Sequence, residues 1–175
     1  MQVLDKNFVP YISNAEILQR ISELAQQISA DYKNKKPLFI GILNGSFIFA
    51  ADLYKKITIP SSISFIKLVS YKGTSSTGTV ITSIGLEEDL TGKDVIIIED
   101  IVDTGKTLTE FLPALQKLQP SSIKICTLLQ KPEALQHDLK VDYIGFEIPN
   151  KFVVGYGLDY DGYGRNSDDI YQIEE

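Results

Sequence analysis

A chain of 175 residues, 43% hydrophobic and 23% charged, is long enough for one domain with a sizeable core, and its composition is that of an ordinary globular protein. A net charge of −6 without runs of Lys and Arg argues against a nucleic-acid or anionic-membrane surface. The lone cysteine excludes an intrachain disulfide, no apolar run reaches membrane-spanning length, and Met1 to Val9 lacks the basic start and apolar stretch of a signal peptide, so the expectation is a single cytoplasmic domain over residues 1–175.

Ser13-Asn14-Ala15-Glu16 reads as a capping box, and Ile17, Leu18, Ile21, Leu24, Ala25 and Ile28 follow on one helical face. After Pro37, Leu38 to Leu43 is a buried strand. Asn44-Gly45-Ser46 then turns into a helix carrying Phe47, Ala50, Ala51, Leu53 and Tyr54. A Gly-containing turn between strand and helix can offer backbone N–H groups to an anion. Ile63 to Val69 alternates as a strand, Ser70 to Thr79 is polar and small without apolar anchors, and Val80 to Ile84 reads as the returning strand. Ser70 to Thr79 reads as a loose tip or, beside a reactive site, as a lid.

The most informative stretch runs from Val95 to Leu108. Val95-Ile96-Ile97-Ile98 has the pattern of a central parallel strand buried on both faces. Glu99 and Asp100 follow, then Ile101-Val102, a third carboxylate at Asp103, and Thr104-Gly105-Lys106-Thr107. Leu108, Phe111, Leu112, Leu115 and Leu118 recur at helical spacing, which starts a helix near Lys106. A Thr-Gly-Lys-Thr loop at a helix N-terminus offers N–H groups, hydroxyls and a positive dipole end to a phosphate. It is not a Walker A loop, because the first glycine of that motif is replaced by Asp100. Glu99 and Asp100 would repel a phosphate and suit hydroxyl groups, a hydrated divalent cation or developing positive charge. Phosphate on one side and sugar hydroxyls on the other describe a ribose 5-phosphate.

Ser122 to Leu129 is a further strand containing Cys126, an inert core thiol, and it ends at Lys131, a candidate ligand for a polar oxygen at the same sheet edge. His137 lies in a polar connection and reads as a surface residue. Val141 to Phe146 is another strand. From Pro149 to Tyr160, two glycines inside an aromatic and aliphatic run point to close backbone approach or an unusual turn. Phe152 can stack on a planar heterocycle, and Arg165, in the flexible turn that follows, can clamp a phosphate or pyrophosphate.

Val95–Leu108 resembles the phosphoribosyl-pyrophosphate (PRPP) signature of type I phosphoribosyltransferases. From Phe39 to Arg165 the motifs Leu-Asn-Gly-Ser, Ser-Tyr ending Ser-Thr-Gly, the PRPP signature, Lys-Pro and Phe-Val-Val-Gly-Tyr-Gly-Leu-Asp-Tyr follow the order of the hypoxanthine(-guanine) members. The resemblance implies an α/β fold, a mostly parallel twisted sheet flanked by helices, with a small hood built from the N-terminal residues and the chain after Val141. It implies purine salvage from PRPP and hypoxanthine or guanine, with Mg2+ as cofactor and a homodimer or homotetramer as the assembly. By the same resemblance, Glu99 and Asp100 hold ribose hydroxyls and magnesium, and Asp103, Thr104, Gly105, Lys106 and Thr107 wrap the 5′-phosphate. Asp103 is the base toward purine N7, Lys131 contacts the 6-oxo group, Phe152 stacks on the purine and Val153 bonds it through its backbone. Asp159 binds a second magnesium, Asn44, Gly45 and Arg165 receive pyrophosphate, and Ser70 and Tyr71 lead the lid. Many members carry Lys in place of Asn44; the contact there is largely through the backbone, often with a cis peptide before that residue. A PRPP-binding transcriptional regulator on the same fold, and a xanthine-preferring transferase, are the alternatives. Asp103 and the acidic balance argue against the regulator.

Overall fold

The computed structural model describes residues 1–69, 80–84 and 88–174. The chain runs through β1 (Gln2–Val3), β2 (Lys6–Ile12), α1 (Asn14–Asp31), β3 (Leu38–Leu43), α2 (Phe47–Tyr54), β4 (Ser62–Val69) and β5 (Val80–Ile84). It continues through β6 (Asp94–Val102), α3 (Lys106–Gln116), β7 (Ser122–Gln130), β8 (Tyr143–Glu147), β9 (Val153–Val154) and β10 (Ile170–Ile173). The lid residues Ser70 and Tyr71 lie outside the described residues.

One sheet has the order β5-β4-β3-β6-β7-β8, with β4, β3, β6, β7 and β8 parallel and β5 antiparallel at the edge. Side-chain alternation divides its strands between two layers. Phe39, Ile96 and Ile98 face α1 and α2, packing with Ile17, Ile21, Leu24 and Ile28 of α1 and Phe49 and Leu53 of α2. Leu38, Ile40, Ile42, Val95 and Ile97 face α3, where Leu108, Phe111 and Leu115 cover them. This is why the aliphatic runs of β3 and β6 show no polar alternation. Gly41 breaks the run in β3 because a Cβ there would press into the Phe65 ring at 2.7 Å.

Helix α1 starts at the capping box read from the sequence, with the Ser13 side chain accepting from the Glu16 amide and the Glu16 carboxylate accepting from the Ser13 amide at 2.9 Å. Cys126 is fully buried in the layer under α1, and burial pushes its thiol well above the ordinary range. Leu118, which continues the helical spacing in the sequence, lies past the end of α3 and is 47% exposed.

A second, antiparallel sheet, ordered β1-β2-β10-β9, forms the hood. The hood begins later than expected from the sequence. Within the segment after Val141, Tyr143–Glu147 pairs in parallel with β7 and joins the main sheet as β8. That strand also receives Arg20 of α1, whose guanidinium donates to the carbonyls of Ile144 and Gly145. Among the described residues it is β10 that pairs with the N-terminal strand β2, and β9 pairs with β10. Ile12, Val153, Tyr156, Leu158 and Ile170 of the hood pack into the same apolar cluster as α1 and α2, which joins the two sheets. Among the described residues no helix is long and apolar enough to cross a membrane.

Ile21 is fully buried at the centre of the α1 face. Replacing it with Ala should cost about 2–5 kcal/mol of stability in urea denaturation while leaving ligand affinities unchanged.

Candidate active site

From β3 the chain crosses through α2 to β4, and from β6 it crosses through α3 to β7 on the other side. The carboxyl ends of β3 and β6 therefore diverge, opening a crevice of the kind that receives ligands in open α/β sheets. Two loops line it, Asn44-Gly45-Ser46 after β3 and Asp103 to Thr107 after β6.

The second loop and the end of β6 form a cleft lined by Glu99 and residues 101–108. Gly105 caps α3 with φ 78°, a left-handed conformation that favours glycine, and a Cβ there would meet Leu135 at 3.0 Å. Thr104 Oγ1 accepts from the Lys106 amide at 3.3 Å, and the Thr104 carbonyl accepts from Gln136 at 3.0 Å. Lys106 and Thr107 are exposed at the start of α3. N–H groups and hydroxyls at a helix N-terminus are groups that can receive an anion.

Glu99 lines this cleft, and Asp100 follows it in β6. Each is half-buried as a residue, yet Glu99 Oε2 is shut off from solvent and has no hydrogen-bond partner among the described residues. Burial raises the Glu99 carboxyl well above the usual range, and the neighbouring Asp100 charge adds to it. Burial raises Asp100 as well, opposed by hydrogen bonding that includes the Ile101 amide, and by the charge of Arg165. Asp100 also fixes the other loop. A Cβ on Gly45 would overlap its carboxylate, and a Cβ on Gly157 would overlap the Gly45 carbonyl, so Gly157, Gly45 and Asp100 stack without room for side chains. The peptide bond between Leu43 and Asn44 is cis, and Asn44 is exposed.

On the other side of the cleft Lys131, at the end of β7, is 6% exposed, and its ammonium pairs with Asp103 Oδ2 at 3.0 Å. Its amide donates to the Val102 carbonyl, which ties the end of β7 to β6. From the hood, Phe152 presents a ring that is 44% exposed and braced edge-on by Tyr160 at 5.8 Å between centroids. Val153 beside it is buried. Arg165 and Asp159 form an ion pair at 2.6 Å, with the Arg165 guanidinium also donating to the Gly157 carbonyl and Asp159 accepting from the Gly162 amide.

The structure thus brings Asp103 to Lys131, Arg165 to Asp159, and Gly45 to Asp100. Two contacts were not anticipated: the Gly45–Gly157 stack and a hydrogen bond from the Tyr156 phenol to Asp52. The two glycines flanking Tyr156 signalled close approach, but nothing in the sequence named the partner.

The chain matches the family model "Phosphoribosyl transferase domain" over residues 11–161. It is 45% identical to a hypoxanthine phosphoribosyltransferase of Buchnera aphidicola subsp. Schizaphis graminum over 85% of this chain and 86% of that protein. It is 37% identical to a hypoxanthine-guanine phosphoribosyltransferase of Aquifex aeolicus, over 99% of both. A crystal structure of a hypoxanthine phosphoribosyltransferase from Staphylococcus aureus superimposes with a TM-score of 0.90 at 40% identity, covering 98% of this chain and 93% of that one.

The raised Glu99 carboxyl has a consequence for stability. Above about pH 4.3 the unfolded chain releases this proton while the folded chain retains it, so the contribution of Glu99 to stability declines as pH rises. In magnesium-free buffer Glu99→Gln should melt with the wild type near about pH 4 and increasingly above it as pH rises, as followed by calorimetry.

Proposed function

The chain belongs to the phosphoribosyl transferase family, and from that membership we propose that it is a purine-salvage enzyme. It transfers the 5-phosphoribosyl group of PRPP to N9 of hypoxanthine, guanine or both, giving IMP or GMP and pyrophosphate. The observation that carries the choice of base is the buried Lys131 ammonium held against Asp103 of the loop after β6.

Asp103 to Thr107 wrap the 5′-phosphate with N–H groups and hydroxyls, and Glu99 and Asp100 hold the ribose hydroxyls. The Asn44-Gly45 turn and Arg165 receive the pyrophosphate. As the bond from C1′ to the pyrophosphate oxygen breaks, positive charge grows on the ribose, and the carboxylates below it favour that charge electrostatically. The N9–C1′ bond forms while the purine proton at N7 passes to Asp103. Phe152 stacks on the purine and the Val153 backbone bonds its edge. Lys131 leaves Asp103 for the 6-oxo group, which it polarises. Adenine presents an amino group to the ammonium, donor against donor, and is rejected.

The buried, unpartnered Glu99 Oε2 beside Asp100 suits a divalent cation, and no set of three His, Cys, Asp or Glu converges among the described residues. Such a donor set fits magnesium, which keeps several waters and takes phosphate oxygens as ligands. Glu99 and Asp100 would hold it, with Asp159 at a second position, and when bound it supplies charge that neutralises the leaving pyrophosphate. Ser70 and Tyr71 lead a lid that excludes water from the reacting ribose. The reading extends to one domain across residues 1–175, a cytoplasmic location and a homodimer or homotetramer, which sedimentation would test.

A steady-state assay with PRPP, magnesium and each of hypoxanthine, guanine, xanthine and adenine tests the reaction. Hypoxanthine or guanine should be converted, with Asp103→Asn about 10²–10⁴-fold slower. Turnover of xanthine alone, or of no purine despite PRPP binding, would replace this reading with the xanthine enzyme or the regulator. Lys131→Met should lower kcat/KM for hypoxanthine by about 10–100-fold and narrow its margin over adenine.

A further inference from the structure

One bond joins the hood to the main sheet without entering the chemistry above. Tyr156 lies between Gly155 and Gly157 with φ 51°, a left-handed conformation unfavourable for a side chain of its size. Its ring is 2% exposed, and its phenol donates to Asp52, in the second turn of α2. Asp52 is held in turn by Lys55 at 2.7 Å.

Plain core packing would need only the ring. The hydroxyl reaches a carboxylate 104 residues away in the chain, on the helix that leaves the Asn44-Gly45 turn. The next residue, Gly157, rests on the Gly45 carbonyl. Both polar groups of Gly157 are engaged by Arg165, its amide donating to the Arg165 carbonyl at 2.9 Å and its carbonyl accepting from the guanidinium. A shift of Tyr156 therefore carries Gly157 and Arg165 with it, relative to Gly45. Lys131 and Asp103 stand on the loops after β7 and β6 and share none of these bonds. Phe152 and Val153 are held separately, by the Ile173 amide on the Phe152 carbonyl and by the pairing of β9 with β10.

We propose that the Tyr156–Asp52 hydrogen bond is a strut that sets the gap between Arg165 on the hood and the Asn44-Gly45 turn on the main sheet. Both residues are positioning residues for pyrophosphate, and the role rests on the phosphoribosyl transfer proposed above. The strut acts on the pyrophosphate end of PRPP and leaves the purine end alone.

The test compares Tyr156→Phe, Asp52→Ala, Asp52→Asn and the double variant Tyr156→Phe/Asp52→Ala with the wild type. The readouts are calorimetric binding of inorganic pyrophosphate with magnesium, and KM for PRPP against KM for hypoxanthine. Tyr156→Phe and Asp52→Ala should each weaken pyrophosphate binding and raise KM for PRPP by about tenfold, as for a lost hydrogen bond to a charged acceptor. KM for hypoxanthine should stay within about twofold. Asp52→Asn, whose amide oxygen still accepts, should restore pyrophosphate binding, and the double variant should lose no more than either single one. Unchanged pyrophosphate binding in Tyr156→Phe would overturn the strut. So would equal losses for both substrates that track a fall in Tm. A wild type inactive with every purine would overturn the transfer reading instead, while pyrophosphate calorimetry would still decide the strut.

Discussion

The contact on which the site depends is the one between the backbone of Gly45 and the carboxylate of Asp100. The sheet forces it, since β3 and β6 are adjacent and parallel, and their following segments leave in opposite directions. A loop that must cross the end of β6 at this distance has no space for a Cβ, and the hood closes from above with Gly157 under the same restriction. Two glycines thus let three chain segments approach until backbone and carboxylate touch. In the proposed function, a ligand here would meet the Asn44-Gly45 backbone beside the carboxylate of the neighbouring strand.

Two cations of the crevice are paired before any ligand arrives, Lys131 with Asp103 and Arg165 with Asp159, while Glu99 and Asp100 stand as two like carboxyls side by side. Leaving Lys131 buried and alone would carry a large desolvation cost, so Asp103 compensates for it in the free protein. In the proposed transfer, a purine oxygen that took the ammonium would release Asp103 at the moment a carboxylate is needed at N7, so the ligand would exchange partners rather than desolvate a bare charge.

Much of this was legible in the sequence wherever the cause is local. The aliphatic run of β6, the acidic pair, the Thr-Gly-Lys-Thr loop and the following helix are contiguous, and each follows from periodicity or from helix-end chemistry. The Ser13–Glu16 capping box was equally readable. What escaped depends on distant partners. Tyr143–Glu147 has the same short apolar pattern whether it pairs in the hood or beside β7, and the pairing is decided by tertiary contacts that include Arg20. Strands β2 and β10 are short and mixed in polarity, β2 contains Pro10, and the register of their pairing shifts at Ile170. The Tyr156–Asp52 bond and the Gly45–Gly157 stack join residues more than a hundred positions apart, which no local pattern encodes.

The burial of Cys126 has a practical outcome. The only thiol of the chain lies sealed beneath α1 and is held protonated, so thiol-directed reagents find no accessible thiolate on the folded protein. The native chain is therefore chemically silent toward maleimides. A single cysteine introduced on the exposed hood, at Tyr163 for instance, would be the sole attachment point for a dye or spin label. Hood movement could then be followed spectroscopically in the otherwise unmodified protein.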